Sequence, residues 1–125
     1  MTDARPFLEA FAKAHVLADF QERFVHEALK KPAKLQSRIC HTIGDVFSDR
    51  YRGGALPFED DEVCIPITGS GIESFEEYRW SEVETSAQRG LGLLVASSDG
   101  RKFYAETEVE YGSPSISYSS TAKAR

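Results

Sequence analysis

LGLLVASSDGRKFYAETEVEY, residues 91–111, decides the fold class. Phe103, Ala105, Thr107, Val109 and Tyr111 alternate with Tyr104, Glu106, Glu108 and Glu110. A period of two marks a half-buried strand. Leu91, Leu93 and Val95 repeat the alternation upstream of Ser98-Asp99-Gly100, a turn-forming triplet. Two runs so joined make an antiparallel hairpin with one apolar face and one face bearing three carboxylates. Its register depends on the turn. A two-residue Asp99-Gly100 turn sets Leu91, Leu93 and Val95 beside the glutamates. A three-residue loop with Gly100 left-handed sets them beside Phe103, Ala105 and Thr107. With one face in water, burial favours the three-residue loop, because a one-residue slip moves the whole apolar set to solvent.

Upstream, the period becomes helical. Between Arg5 and Lys31, the residues Phe7, Phe11, Ala14, Ala18, Val25 and Leu29 share one stripe at about 100° per residue. Pro6 suits a first helical turn, and Lys30 and Lys31 suit the negative end of the helix dipole. Asp19 with Glu22 offers a second N-cap, so the segment reads as one helix or as two. Val16 and Phe20 fall off the stripe and mark either a break or an exposed contact patch. After Pro32 a second helix is predicted over 33–51, with Leu35, Ile39, Ile43 and Val46 as its stripe and Gly53-Gly54 as its stop. Val63, Ile65 and Ile67 then alternate in a strand that Pro66, lacking an N–H, places at a sheet edge. Ser70 and Glu73 have capping-box spacing for a short helix through Tyr78. Residues 78–85 and 115–123 read as further strands. Helices first and strands later is the order of an α+β domain. Over residues 1–125 the expectation is two N-terminal helices packed on one face of a C-terminal, mainly antiparallel sheet of four or five strands.

The totals bound the function. A chain of 125 residues is one domain, long enough to bury a core without staples. Cys40 and Cys64 have no metal-ligand spacing and read as small buried hydrophobes of a reducing compartment. No stretch approaches the about 18 apolar residues of a membrane span. Residues 1–5 lead straight into an amphipathic segment, so the expected location is cytoplasmic. Net charge is −5, unevenly spread: residues 1–52 hold nine Lys and Arg against seven Asp and Glu, and residues 53–125 hold six against thirteen. An acidic C-terminal half repels nucleic acid and attracts basic proteins.

Several constellations invite chemistry. His15 and His26, eleven residues apart, would lie about 16 Å apart on a continuous helix, too far to share a metal. His41 and Asp45 have the spacing of an imidazole–carboxylate pair, which on a solvated helix face is a favourable neighbour rather than a general base. Both are therefore expected to be dispensable. Thr68-Gly69-Ser70-Gly71 resembles a phosphate cradle, but Glu73, Glu76 and Glu77 follow it and would repel a phosphate. No cofactor, metal site or catalytic residue is expected. The costly feature is the Glu106, Glu108, Glu110 ladder, whose neighbours on one face stand about 7 Å apart. With Tyr104 as an aromatic anchor and the loop Glu59, Asp60, Asp61 and Glu62, it reads as a platform for a basic protein partner.

The order of elements resembles the cystatin-like cone of the nuclear transport factor two superfamily. Gly71-Ile72-Glu73-Ser74-Phe75-Glu76-Glu77 looks like that family's short third helix, which carries Ile and Phe inward. This likeness implies a curved sheet around an apolar pocket, here lined by Tyr78, Trp80, Phe103 and Tyr111. The predicted second helix is longer than the family's, one early strand is missing, and no catalytic residue carries over. In profile, as a small acidic α+β chain, the protein is similar to bacterial immunity proteins, which neutralise toxin domains. That likeness implies a basic toxin domain as the partner.

Overall fold

The computed structural model describes residues 3–32, 34–35, 43–69, 71–86, 91–108 and 116–120. Its N-terminal helices form as a broken pair. Helix α1, Arg5–His15, carries a proline in its first turn and buries Phe7, Leu8, Phe11 and Ala12. Val16 then turns extended, bridging Phe47, while the Leu17 N–H donates to the Val46 carbonyl at 2.9 Å. A 3₁₀ turn, Ala18–Phe20, leads into α2, Gln21–Lys30. Of the two readings of this segment, two helices is the observed one. Val16 and Phe20 are both buried, so they mark the break and form no exposed patch. The break also re-phases the stripe: Phe24, Val25 and Ala28 are buried, while Ala14 and Ala18 are exposed.

The long second helix does not run to Tyr51. Residues 32 and 34–35 are helical, but Ile43–Asp45 and Asp49–Tyr51 are 3₁₀ turns separated by extended backbone at Phe47. Ser48 restarts the chain as an N-cap, its hydroxyl accepting from the Arg50 N–H at 3.4 Å. Of the predicted stripe of that helix, Leu35, Ile43 and Val46 are buried, and Ile39 lies outside the described residues.

Five antiparallel strands form one sheet: β1 Val63–Gly69, β2 Tyr78–Arg79, β3 Leu91–Ser97, β4 Phe103–Glu108 and β5 Ser117–Ser119. Their order is β2-β1-β3-β4-β5. The fold is α+β, with the two helices on one face of the sheet. Strand β1 is second from the edge rather than at it, but β2 pairs only with Val63 and Cys64. Beyond those two residues Pro66 still pairs with Val95 of β3, while on its other side no described strand follows and its carbonyl accepts from the Phe75 N–H at 2.8 Å. The register shifts between Pro66 and Thr68, and the extra residue, Ile67, still packs in the helix-side core.

The predicted capping-box helix does not form over residues 71–78, and Ser70 lies outside the described residues. Residues 71–77 form turns, with Phe75 left-handed at φ 65°. Ile72 and Phe75 pack on different cores, so this segment wraps around the sheet edge. The strand expected over 78–85 lasts two residues before α3, Trp80–Val83. There the Arg79 N–H donates to Glu82 Oε1 at 2.9 Å, which favours a helical turn over continued strand.

The β3–β4 register overturns the three-residue loop: Val95 pairs with Tyr104, Leu93 with Glu106 and Leu94 with Ala105. Ser97 N–H donates to the Lys102 carbonyl at 2.9 Å, leaving the four residues 98–101 as the loop. Inside it, Asp99 Oδ1 accepts from Ser97 Oγ at 2.6 Å and from the Arg101 N–H at 3.0 Å. The Ser97 bond leads in holding the Asp99 carboxyl below its ordinary value. Burial could not select the register because both faces of the sheet are buried. Leu94, Ala96, Phe103 and Ala105 face the helices with Phe11, Phe24 and Phe47. Leu93, Val95 and Tyr104 face a second core with Phe58, Cys64, Trp80 and Val83.

Gly100 sits at φ 76°, and a Cβ there would lie 3.4 Å from the Phe11 nitrogen and 3.5 Å from its Cα. Gly100→Ala is therefore expected to cost about 1–2 kcal/mol through left-handed backbone strain, with contact against α1 adding to it. A urea midpoint compared with wild type checks this.

Candidate functional site

The segment from Gly53 to Ser86 supplies β1 and β2 and, through Leu56, Phe58, Ile72, Trp80 and Val83, the cover of the second face of the sheet, and its charge is lopsided. It contains nine Asp and Glu against the single Arg79. Most of its large apolar residues are buried or half-buried, Val63 being the exposed exception. Phe58 stacks on Trp80 at 5.0 Å between ring centroids, and Trp80 meets Tyr104 edge-on at 6.4 Å. The charged residues are what remains outside. Glu59, Asp60, Asp61, Glu73, Glu76, Glu77, Glu82 and Glu84 are all exposed.

Hydrogen bonds tie parts of this segment together. The Trp80 N–H donates to the Glu62 carbonyl at 2.8 Å, and the Ser81 N–H donates to the Asp60 carbonyl at 3.0 Å. The acidic turn 59–62 is thereby clamped against the start of α3. Tyr78 Oη accepts from the Glu73 N–H at 3.3 Å, tying the 71–77 segment to β2. Glu62 is the exception among the acids: Lys102 Nζ lies 2.8 Å from its carboxylate, so its charge is taken up inside the molecule. The other three of the turn point their charge outward.

The strand ladder behaves differently from the expected platform. Glu106 is 1% exposed and Tyr104 is 2% exposed, and the Tyr104 hydroxyl donates to Glu106 Oε2 at 2.6 Å. Burial, then the carboxylate beside it, pushes the Tyr104 phenol above its ordinary value. Neither residue belongs to a solvated face, because the 53–86 layer lies over them. Glu108 is placed on β4 opposite Leu91, and its side chain lies outside the description. Glu110 lies outside the described residues, as do Tyr111, His41 and Cys40, and the Asp45 side chain.

The aromatic pocket of the alternative reading does not form as proposed. Trp80 belongs to the second core and Phe103 to the helix-side core, with the sheet between them; Tyr78 packs on the second core. Cys64 is a free, buried thiol, pushed up to about 12 chiefly by burial. Among the described residues, no three His, Cys, Asp or Glu side chains converge to hold a metal. No described helix is long and apolar enough to cross a membrane.

One polar contact had no signal in the sequence. His15, on the last turn of α1, donates from Nε2 to the Gly100 carbonyl at 2.8 Å and fastens the β3–β4 loop to the helix. Its ring lies among Phe11, Tyr51 and Phe103, at 5.2, 6.0 and 4.8 Å between centroids. Nδ1 is buried with no hydrogen-bond partner. Burial leads in holding the imidazole below its ordinary value of 6.5; the Arg50 charge acts the same way, and backbone bonds to Gly100 and Arg101 oppose them.

The linkage follows from that direction. Above the ordinary imidazole value the ring is neutral folded and unfolded, and the contribution to stability is complete. As pH falls below that value the unfolded chain takes up the proton first, so stability is lost until the folded-state value is passed. Urea unfolding at about pH 7.5 and about pH 5.5 is expected to show a larger acid loss for wild type than for His15→Gln. Equal losses would remove His15 from this account.

No protein-family model, curated protein or solved structure matches this chain.

Proposed function

We propose that the chain is a non-enzymatic binding protein of the immunity type, which neutralises a basic protein domain by docking it on the acidic layer of residues 59–84. The carrying observation is the eight exposed carboxylates of that layer, with Arg79 as the one cation in the segment. A face so charged raises the encounter rate with a basic partner and rejects acidic ones. It also repels nucleic acid, so the partner is a protein. The ladder contributes little, because Tyr104 and Glu106 are inside. The buried free thiol of Cys64 suits a reducing compartment, and we place the action in the cytoplasm.

The test is capture of partners from the source cell by immobilised wild type and by a Glu59→Gln, Asp60→Asn, Asp61→Asn variant. These side chains are exposed, so the variant is expected to fold as wild type. A strongly basic protein should be held by wild type and lost both from the variant and at about 1 M salt, where the screening length is about 3 Å. Equal capture by both proteins would remove the acidic layer from the function.

A further inference from the structure

The helix layer carries a cleft of the opposite charge. Around the C-terminal end of α2, Arg23, His26, Glu27, Lys30, Lys31 and Lys34 line a cavity of about 190 Å³. Glu27 is buried in it, with Arg23 Nε 3.6 Å from its carboxylate. The three lysines are exposed, and among the described residues none of them forms an ion pair. The helix dipole favours a cation on the last turn, which accounts for Lys30 and Lys31. It does not account for Lys34, which lies past the helix end and adds like charge to the same cleft. Among the described residues, four cations and one carboxylate line the cleft, in a chain whose net charge is −5. An anion would relieve that crowding.

Size narrows the anion. Pockets that enclose a drug-sized ligand run to about 300–1,000 Å³, so this cleft takes a phosphoryl group or two rather than a whole organic molecule. His26 is shared with a second, larger groove of about 480 Å³ between α1 and α2, lined also by Gln21 and Val25. We propose that the cleft binds the diphosphate of an organic diphosphate, such as a nucleoside diphosphate, whose body extends past His26 into the α1–α2 groove. Lys30, Lys31 and Lys34 act as point-charge partners for the terminal oxygens. Arg23, oriented by Glu27, offers its remaining N–H groups. This inference is independent of the acidic layer, and either can fail alone.

Calorimetric titration of the full chain with ADP, inorganic diphosphate and sulfate at matched ionic strength tests it. ADP and diphosphate should bind and sulfate should not. The Lys30→Gln, Lys31→Gln, Lys34→Gln variant should weaken both by at least about tenfold while still unfolding cooperatively in urea, with its midpoint lowered only by the small helix-dipole contribution. Gln21→Ala should weaken ADP alone, which separates an organic diphosphate from the free anion. In a parallel NMR titration, the His26 ring resonances should shift with ADP. Absence of binding at millimolar ligand, equal affinity in the triple variant, or sulfate binding as tightly as diphosphate would overturn the proposal. So would binding of a single-stranded RNA oligomer without binding of ADP, which would make the cleft a backbone-phosphate site.

Discussion

Phe103→Ala and Trp80→Ala are each expected to cost about 3–5 kcal/mol, although the two side chains lie on opposite faces of the sheet. Phe103 is the hub of the helix-side core. It stacks on Phe47 at 4.7 Å and lies 5.6 Å from Phe11 and 5.4 Å from Tyr51. Trp80 is 2% exposed beneath Phe58 and carries the second core. Each truncation removes the transfer free energy of a large ring and leaves a cavity that rigid neighbours cannot fill. In a sheet with one face in water, Trp80 would be a surface residue whose loss changes stability by about 0.5 kcal/mol or less. Urea denaturation of both variants therefore reports directly on whether the sheet is covered on both sides.

Tyr104→Phe is expected to destabilise the fold by about 1.5–3 kcal/mol, the range for a hydrogen bond to a charged group. The substitution keeps the ring and its packing on Trp80, and removes only the hydroxyl that reaches Glu106 Oε2 at 2.6 Å. At 1% exposure, bulk solvent does not reach Glu106 to replace the lost donor. A cycle combining Tyr104→Phe with Glu106→Gln should show a coupling of at least about 1 kcal/mol between the two sites. Additive effects would mean that the pair is not the unit described here. On an exposed ladder, charge removal at Glu106 would be neutral or stabilising; in this structure Glu106 is buried and bonded to Tyr104 of the second core.

The elements that were legible in the sequence are those whose periodicity is local. The alternation along 103–107 marks β4, and the stripe from Phe7 to Phe11 marks α1. The β3–β4 register was not legible. Choosing between loops required knowing which face is wet, and neither is. The cover of the second face is a segment with almost no periodicity, where Phe58, Trp80 and Val83 are isolated apolar residues among charges. Nothing local says that such residues turn inward. The acidic bias of the C-terminal half was plain from composition, but its placement was not. Eight charges go to the outside of the covering layer, and the one described ladder side chain, Glu106, goes beneath it. The His15–Gly100 bond joins positions 85 residues apart and has no local trace at all.

The binding account places function on the exposed carboxylates of residues 59–84, and association kinetics test that most directly. The rate is to be measured for the captured basic partner with wild type and with the Glu59→Gln, Asp60→Asn, Asp61→Asn variant, at low and at high salt. Electrostatic steering predicts that neutralising the turn slows association by about tenfold or more at low salt and flattens its salt dependence, with little change in the dissociation rate. Identical association rates and identical salt slopes for the two proteins would contradict it.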